Sequence, residues 1–210
     1  CLLSCVVLVT EALKSDIYYS IQSDYRKCVS PICGGYWVSR LNHKYTICHD
    51  GSCSERCYIA DISQHIYGYN NYNKIAIVRG WIESKHFDNG GEMGFLIATE
   101  VWTPGSNQSN NQISDHGNTF YSLQSTGIQC ITTPCPTIKQ VLLNRQNESK
   151  YVSGVVGTAG KEIITLLYSS HGTATSKPRV IISSPGMRID GDNAVASTYY
   201  TKVPECTENS

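Results

Sequence analysis

The sequence predicts a mainly β protein built from two tandem, internally duplicated small sheet or barrel units stapled by disulfides. Three observations predict it. The 210 residues hold 14 Tyr and 10 Cys against only 3 Phe and 2 Met, a balance that suits an exported, strand-rich chain. One 25-residue segment occurs twice, cysteines included. The runs between turn signals are short and rich in β-branched and aromatic residues. Composition also excludes classes. At 40% hydrophobic and 16% charged the chain is too apolar for wholesale disorder. With 17 basic and 17 acidic side chains it offers no basic field to draw nucleic acid or anionic lipid.

Residues 1–12 are set apart first. The apolar run from Leu2 to Val9 meets Thr10-Glu11-Ala12, where small residues suit a signal-peptidase site. The segment reads as the remnant of a secretory signal, and the run is too short to span a bilayer. A secreted, extracellular protein is therefore expected. Residues 13–210 keep eight cysteines, an even number, as an exported disulfide framework needs. Two Asn-x-Ser sequons, at Asn107 and Asn147, mark candidate glycosylation sites in polar stretches.

The repeat organises the remainder. Residues 18–42 align without a gap to residues 120–144 at an offset of 102, with eight identities including Cys28/Cys130, Cys33/Cys135, Leu41/Leu143 and Asn42/Asn144. Val29 and Ile131 exchange like for like. A gapless match of this kind predicts duplication. Later segments match loosely: Val78-Arg79-Gly80-Trp81-Ile82 with Val152-Ser153-Gly154-Val155-Val156. The domains expected are β unit 1 over 13–103, a polar linker over 104–118 and β unit 2 over 119–210. The linker segment Pro104–Gln112 lacks aliphatic and aromatic side chains and cannot bury a face.

Strands are predicted over 17–22, 36–41, 74–84, 93–102, 118–124, 138–143, 151–156, 163–169 and 179–183. The run at 138–143 is ambiguous by propensity, but its copy at 36–41 is aromatic and β-branched, so both are assigned as strands. Asp88-Asn89-Gly90-Gly91 predicts a hairpin turn, with Asn-Gly supplying positive φ. One short helix is allowed, near 62–67. Trp37, Trp81 and Trp102 fall in strand runs and are expected in the core.

Cysteine pairing follows from the repeat. The arrangement both units share is local, Cys28–Cys33 and Cys130–Cys135, each closing a small loop that contains Pro31 or Pro134. Cys48–Cys57 would clip a second loop, and Cys53 would then reach Cys206. Eight cysteines leave many other connectivities open.

Cys28-Val29-Ser30-Pro31-Ile32-Cys33-Gly34-Gly35-Tyr36, followed by Leu41-Asn42, Cys48-His49-Asp50-Gly51 and Cys57-Tyr58-Ile59-Ala60, resembles a cysteine-rich domain found in exported proteins, many of them bacterial: domain-of-unknown-function family 6748. Gly127-Ile128-Gln129-Cys130-Ile131-Thr132-Thr133-Pro134-Cys135-Pro136, after Thr119-Phe120-Tyr121, is similar to that family's later motif. The resemblance implies export and no assigned activity, so it brings no catalytic residues. Cys53 and Cys206 look like additions to its pattern.

Cys48, His49, Cys53 and Cys57 lack the second knuckle a structural zinc site uses, and an oxidising compartment favours bridges. Neither unit holds a Cys-x-x-Cys motif, a Gly-x-Ser-x-Gly elbow or a His-Glu-x-x-His. His65, His86, His116 and His171 are scattered and read as surface groups. Asp88–Glu92 and Asp190–Asn193 carry oxygen donors without completing a calcium loop and read as turns. No catalytic residue, metal ligand or cofactor is predicted. The candidate binding residues are Tyr67, Tyr69, Asn70, Asn71 and Tyr72, because Tyr supplies rigid amphipathic area and Asn adaptable hydrogen bonds. The function expected is a secreted, non-enzymatic binding or structural module, its partner an extracellular protein or carbohydrate and neither nucleic acid nor a membrane crossed by the chain. Two rivals remain: a protease inhibitor or toxin-like factor presenting a rigid Cys-Pro loop, and a hydrolase with a site between the units.

Overall fold

A computed structural model describes residues 17–63, 75–105, 117–145, 147–168, 180–185 and 189–203. Among these, 17–63 and 77–101 form one compact unit; 75–76 and the described residues from 102 to 203 form the other. Both are mainly β.

In the first unit β1 (Ile17–Ser23) and β2 (Tyr36–Arg40) pair antiparallel. Thr46–Ile47 (β3) and Cys53–Ser54 (β4) form a separate short ribbon. Then come β5 (Cys57–Ile59), β6 (Asp61–Ile62), β7 (Ile77–Phe87) and β8 (Gly91–Pro104). The sheet order is β8-β7-β1-β2-β5, with β6 lying parallel beside β8. Consecutive residues Tyr18, Tyr19, Ser20 and Ile21 are all buried. Neighbouring strand residues point to opposite faces, so β1 is covered on both. Val38, Ile59, Ile77, Val78 and Leu96 fill the core.

The second unit holds β9 (Asn118–Ser125), β10 (Ile138–Leu142), β11 (Ser149–Val152), β12 (Gly154–Val156), helix α1 (Gly160–Tyr168), β13 (Val180–Pro185), β14 (Ile189–Asp190), β15 (Asn193–Val195) and β16 (Thr198–Lys202). Its sheet runs β16-β13-β9-β10-β11, and Trp102–Pro104 at the end of β8 pair with β16. A smaller sheet, β12-β15-β14, sets β12 parallel to β15.

The two units thread their strands alike. Tyr19 pairs Arg40 and Ser23 pairs Tyr36; Tyr121 pairs Leu142 and Ser125 pairs Ile138. Every partner is displaced by the same 102 residues that separate the sequence copies. Asn42 and Asn144 follow β2 and β10 with φ of 60° and 61°, a left-handed conformation that Asn tolerates. Leu41 then donates its amide to the Tyr18 carbonyl (3.0 Å), as Leu143 does to Phe120 (3.1 Å). Beyond the hairpins, β5 and β11 flank β2 and β10, and β6 and β12 each run parallel to a later strand of their own unit.

Several expectations are corrected. The segment paired with β9 as β7 pairs with β1 is β13, so the loose match of 78–82 to 152–156 is not a structural equivalence. The strand expected over 151–156 breaks at Ser153, whose amide turns to the Asp192 carbonyl (2.7 Å), and the chain changes partners there. The strand expected over 163–169 is α1 through Tyr168. Ile163 and Leu167 are buried four residues apart, one helical face, and Thr165 bonds the Lys161 carbonyl at 2.9 Å. The β-branched run there masks that period. At the β7–β8 turn the positive φ, 68°, belongs to Gly91 rather than to Asn-Gly. Trp102 is fully buried, whereas Trp37 and Trp81 are half-buried. Within the helix expected over 62–67, Ile62 is in β6 and Ser63 follows it; 64–67 lie outside the described residues.

Candidate functional site

Among the described residues two matching cysteine-clipped loops stand apart from the core, 24–35 between β1 and β2 and 126–137 between β9 and β10. Each closes at its base by the same bond. The Asp24 amide donates to the Gly35 carbonyl and the Thr126 amide to that of Thr137, both at 2.8 Å. Each then turns on a side-chain oxygen two residues back: Arg26 N–H to Asp24 Oδ1 (3.1 Å), Ile128 N–H to Thr126 Oγ1 (3.2 Å). Such local bonds suit Asp and Thr at turns. Disulfides Cys28–Cys33 and Cys130–Cys135 tie the rings, with Cα separations of 5.6 and 5.7 Å. The Ser30–Pro31 and Thr133–Pro134 peptides are both cis.

The first ring is fastened further. The Asp24 carboxylate accepts from Arg26 Nε at 3.0 and 2.9 Å and from Nη2 at 2.8 Å. The guanidinium lies 5.1 Å from the Trp37 ring centroid and 5.3 Å from that of Tyr58, where the ring quadrupole attracts a cation. Tyr58 O–H donates to the Pro31 carbonyl (2.7 Å) and accepts from the Gly35 amide (3.1 Å). Gly35 permits that approach, since a Cβ there would stand 2.9 Å from the Tyr58 hydroxyl oxygen and 2.2 Å from the Ile59 carbonyl oxygen. In the second ring Thr126 Oγ1 bonds the carbonyls of Pro136 (3.1 Å) and Thr137 (3.0 Å).

Hydrogen bonds from Arg26 hold the Asp24 carboxyl down at about 2. An unfolded Asp titrates near ~3.9. Because the folded value lies below the unfolded one, the clamp's contribution is complete above about pH 4 and is lost as pH falls toward about 2. Thermal melts of wild type and Asp24→Asn across about pH 2 to 5 are expected to converge at the acid end and separate above about pH 4; parallel curves would refute the clamp.

The tips carry the unusual surface. Ile131 is 103% exposed, Val29 at the equivalent position 69%, and Tyr25 78%. Ile32 and Ile128 are also exposed. In sequence these rings have a contact role only in the rival reading of a presented Cys-Pro loop; the further signal was the aliphatic exchange Val29/Ile131.

The other candidates distribute as follows. Cys48 is bridged to Cys57, so two thiols of the cluster considered for zinc are joined. Cys53 is exposed and pairs across β3–β4 with Ile47; Cys206 lies outside the described residues. Asn147 is exposed in the turn before β11. His86 Nδ1 is 3.4 Å from Glu92 on the surface. Tyr67, Tyr69, Asn70, Asn71, Tyr72, Asn107, His65, His116, His171 and the segment 1–12 lie outside the described residues. Among the described residues no helix is long and apolar enough to cross a membrane.

No curated protein and no solved structure matches the chain. The profile of a protein family matches residues 17–162, from β1 into α1 and across both clipped loops. On that span the chain belongs to the family described as Domain of unknown function (DUF6748).

Proposed function

We propose that the chain is an exported, non-enzymatic binding module that meets its partner through the tips of its clipped loops. The observation that carries this is Ile131, fully exposed on a ring whose base is bonded into the sheet, with Val29 exposed at the same place in the other ring. Isolated apolar side chains on a surface are ordinary. The same aliphatic position held outward on two bridged rings is better explained by contact.

Three disulfides support export, since such bonds persist in oxidising compartments. The expected signal at 1–12 and the exposed sequon at Asn147 agree with it. The matching strand registers support an internal duplication, which would make the loops two copies of one device. The buried carboxylates among the described residues, Asp24 and Glu100, are paired with Arg26 and Arg79 at 2.8 and 3.3 Å. The inhibitor rival needs an extended segment. Five residues laid out straight reach ~17 Å, whereas Cys130 and Cys135 are 5.7 Å apart, so the ring folds its segment back.

Arrays of glycans, secreted proteins and lipids test the reading with wild type and the double variant Val29→Asp/Ile131→Asp. At least one ligand is expected to bind wild type and to lose about tenfold or more in the variant, with circular dichroism unchanged. Equal binding by both proteins to everything captured, or turnover on hydrolase substrates, would overturn it.

A further inference from the structure

We infer that the surface these loops meet is a phospholipid bilayer, entered shallowly by Ile128 and Ile131 of one loop and by Tyr25, Val29 and Ile32 of the other. The inference rests on the binding reading above and names its partner. It starts from what the two rings share and what they do not. Both present an exposed aliphatic side chain at the position of Val29 and Ile131. Around that position they differ: Tyr25, Arg26, Lys27 and Ile32 stand where the second ring has Gly127, Ile128, Gln129 and Pro134. A socket on a protein reads the flanking groups as closely as the anchor. A bilayer reads apolarity above all, and an exposed aliphatic side chain is what the rings hold in common.

Charge agrees. From Ser125 to Ile138 no ionisable side chain occurs, so nothing in the second loop resists entry into lipid. In the first loop the Arg26 cation is paired with Asp24. Lys27 is exposed and has a stem long enough to carry its ammonium up to headgroup phosphates. Tyr25 has the amphipathic ring that gathers at membrane–water boundaries. The zero net charge of the chain removes long-range attraction to anionic lipid but leaves apolar insertion untouched.

The depth follows from the backbone. Residues 126–137 lie in no helix or strand. Peptide groups without regular partners cannot enter hydrocarbon, so the rings rest among hydrated headgroups and only side chains pass below. Either loop inserts on its own account; nothing requires both to reach one membrane.

The test is sedimentation of the intact, oxidised chain with large unilamellar vesicles of phosphatidylcholine, alone and mixed with phosphatidylglycerol. Partition into both is expected, and it should survive about 0.5 M salt, where surface charges are screened. Ile131→Asp is expected to lower partition about tenfold or more, and Val29→Asp/Ile131→Asp to bring it to background. Both positions are already exposed, so folding is spared. Ile131→Trp supplies a second measure: its emission should shift to the blue on vesicles. Absence of partition, partition indifferent to Ile131→Asp, or binding only to phosphatidylglycerol vesicles that salt abolishes would each overturn the proposal. If vesicles fail while the double variant loses a glycan or protein on the arrays, the lipid partner falls and the binding module stands.

Discussion

Trp102→Ala is expected to destabilise the second unit by about 3–5 kcal/mol, the range for emptying a buried aromatic site. Trp102 is fully buried and is the bulkiest of the fully buried side chains. Its carbonyl accepts the Ala76 amide (3.0 Å) and its backbone pairs with Lys202 of β16, so the ladder holds the Cα in place while the side chain is removed. With the backbone held, the surroundings relax only in part and a cavity remains. The indole Nε1 has no hydrogen-bond partner among the described residues. Trp102→Phe removes that uncompensated donor along with some volume, so it should cost markedly less. Denaturant unfolding followed by far-ultraviolet circular dichroism checks both; equal losses for the two variants would show that volume is not what matters.

Gly80→Ala is expected to cost the first unit about 2–4 kcal/mol, through overpacking rather than a cavity. Gly80 lies on β7 opposite Ile17 of β1. A Cβ there would stand 1.9 Å from the Ile97 carbonyl oxygen. That oxygen is backbone of β8 and cannot rotate away as the end of a side chain would, so β7 and β8 must part locally. Hydrogen exchange should show faster exchange at amides of β7 and β8 near this crossing, with the β9–β10 hairpin unchanged. A wild-type melting temperature would mean the strands separate at no cost.

The mainly β class is legible because short runs rich in β-branched and aromatic residues, bounded by turn residues, recur along the chain. The hairpins are most legible of all: two aligned segments constrain each other, and Tyr36–Arg40 removes the helical alternative from Ile138–Leu142. Legibility fails where one local signal competes with a distant one. Ile163, Ile164 and Thr165 favour a strand by propensity, but the burial of Ile163 and Leu167 against unit 2 decides for α1. Only the partners of Val152 and Gly154 divide the run at 151–156. The ring bases illustrate a third case. Asp24 and Thr126 share no chemistry beyond a side-chain oxygen, so the common turn they build is invisible to residue-by-residue comparison. Exposure of Val29 and Ile131 depends on which way each ring leans, which spacing alone does not state.

The paired closing bonds, Asp24 to Gly35 and Thr126 to Thr137, make each ring a cassette set in a fixed frame. The two rings share one amide–carbonyl contact at the base and one sulfur bridge across the loop, and the first adds the Arg26 and Tyr58 contacts of its own. The rings carry Arg26-Lys27 in one case and Ile128-Gln129 in the other, while the flanking strands keep registers offset by the same 102 residues. A scaffold of this kind lets loop sequence vary faster than the sheet that carries it.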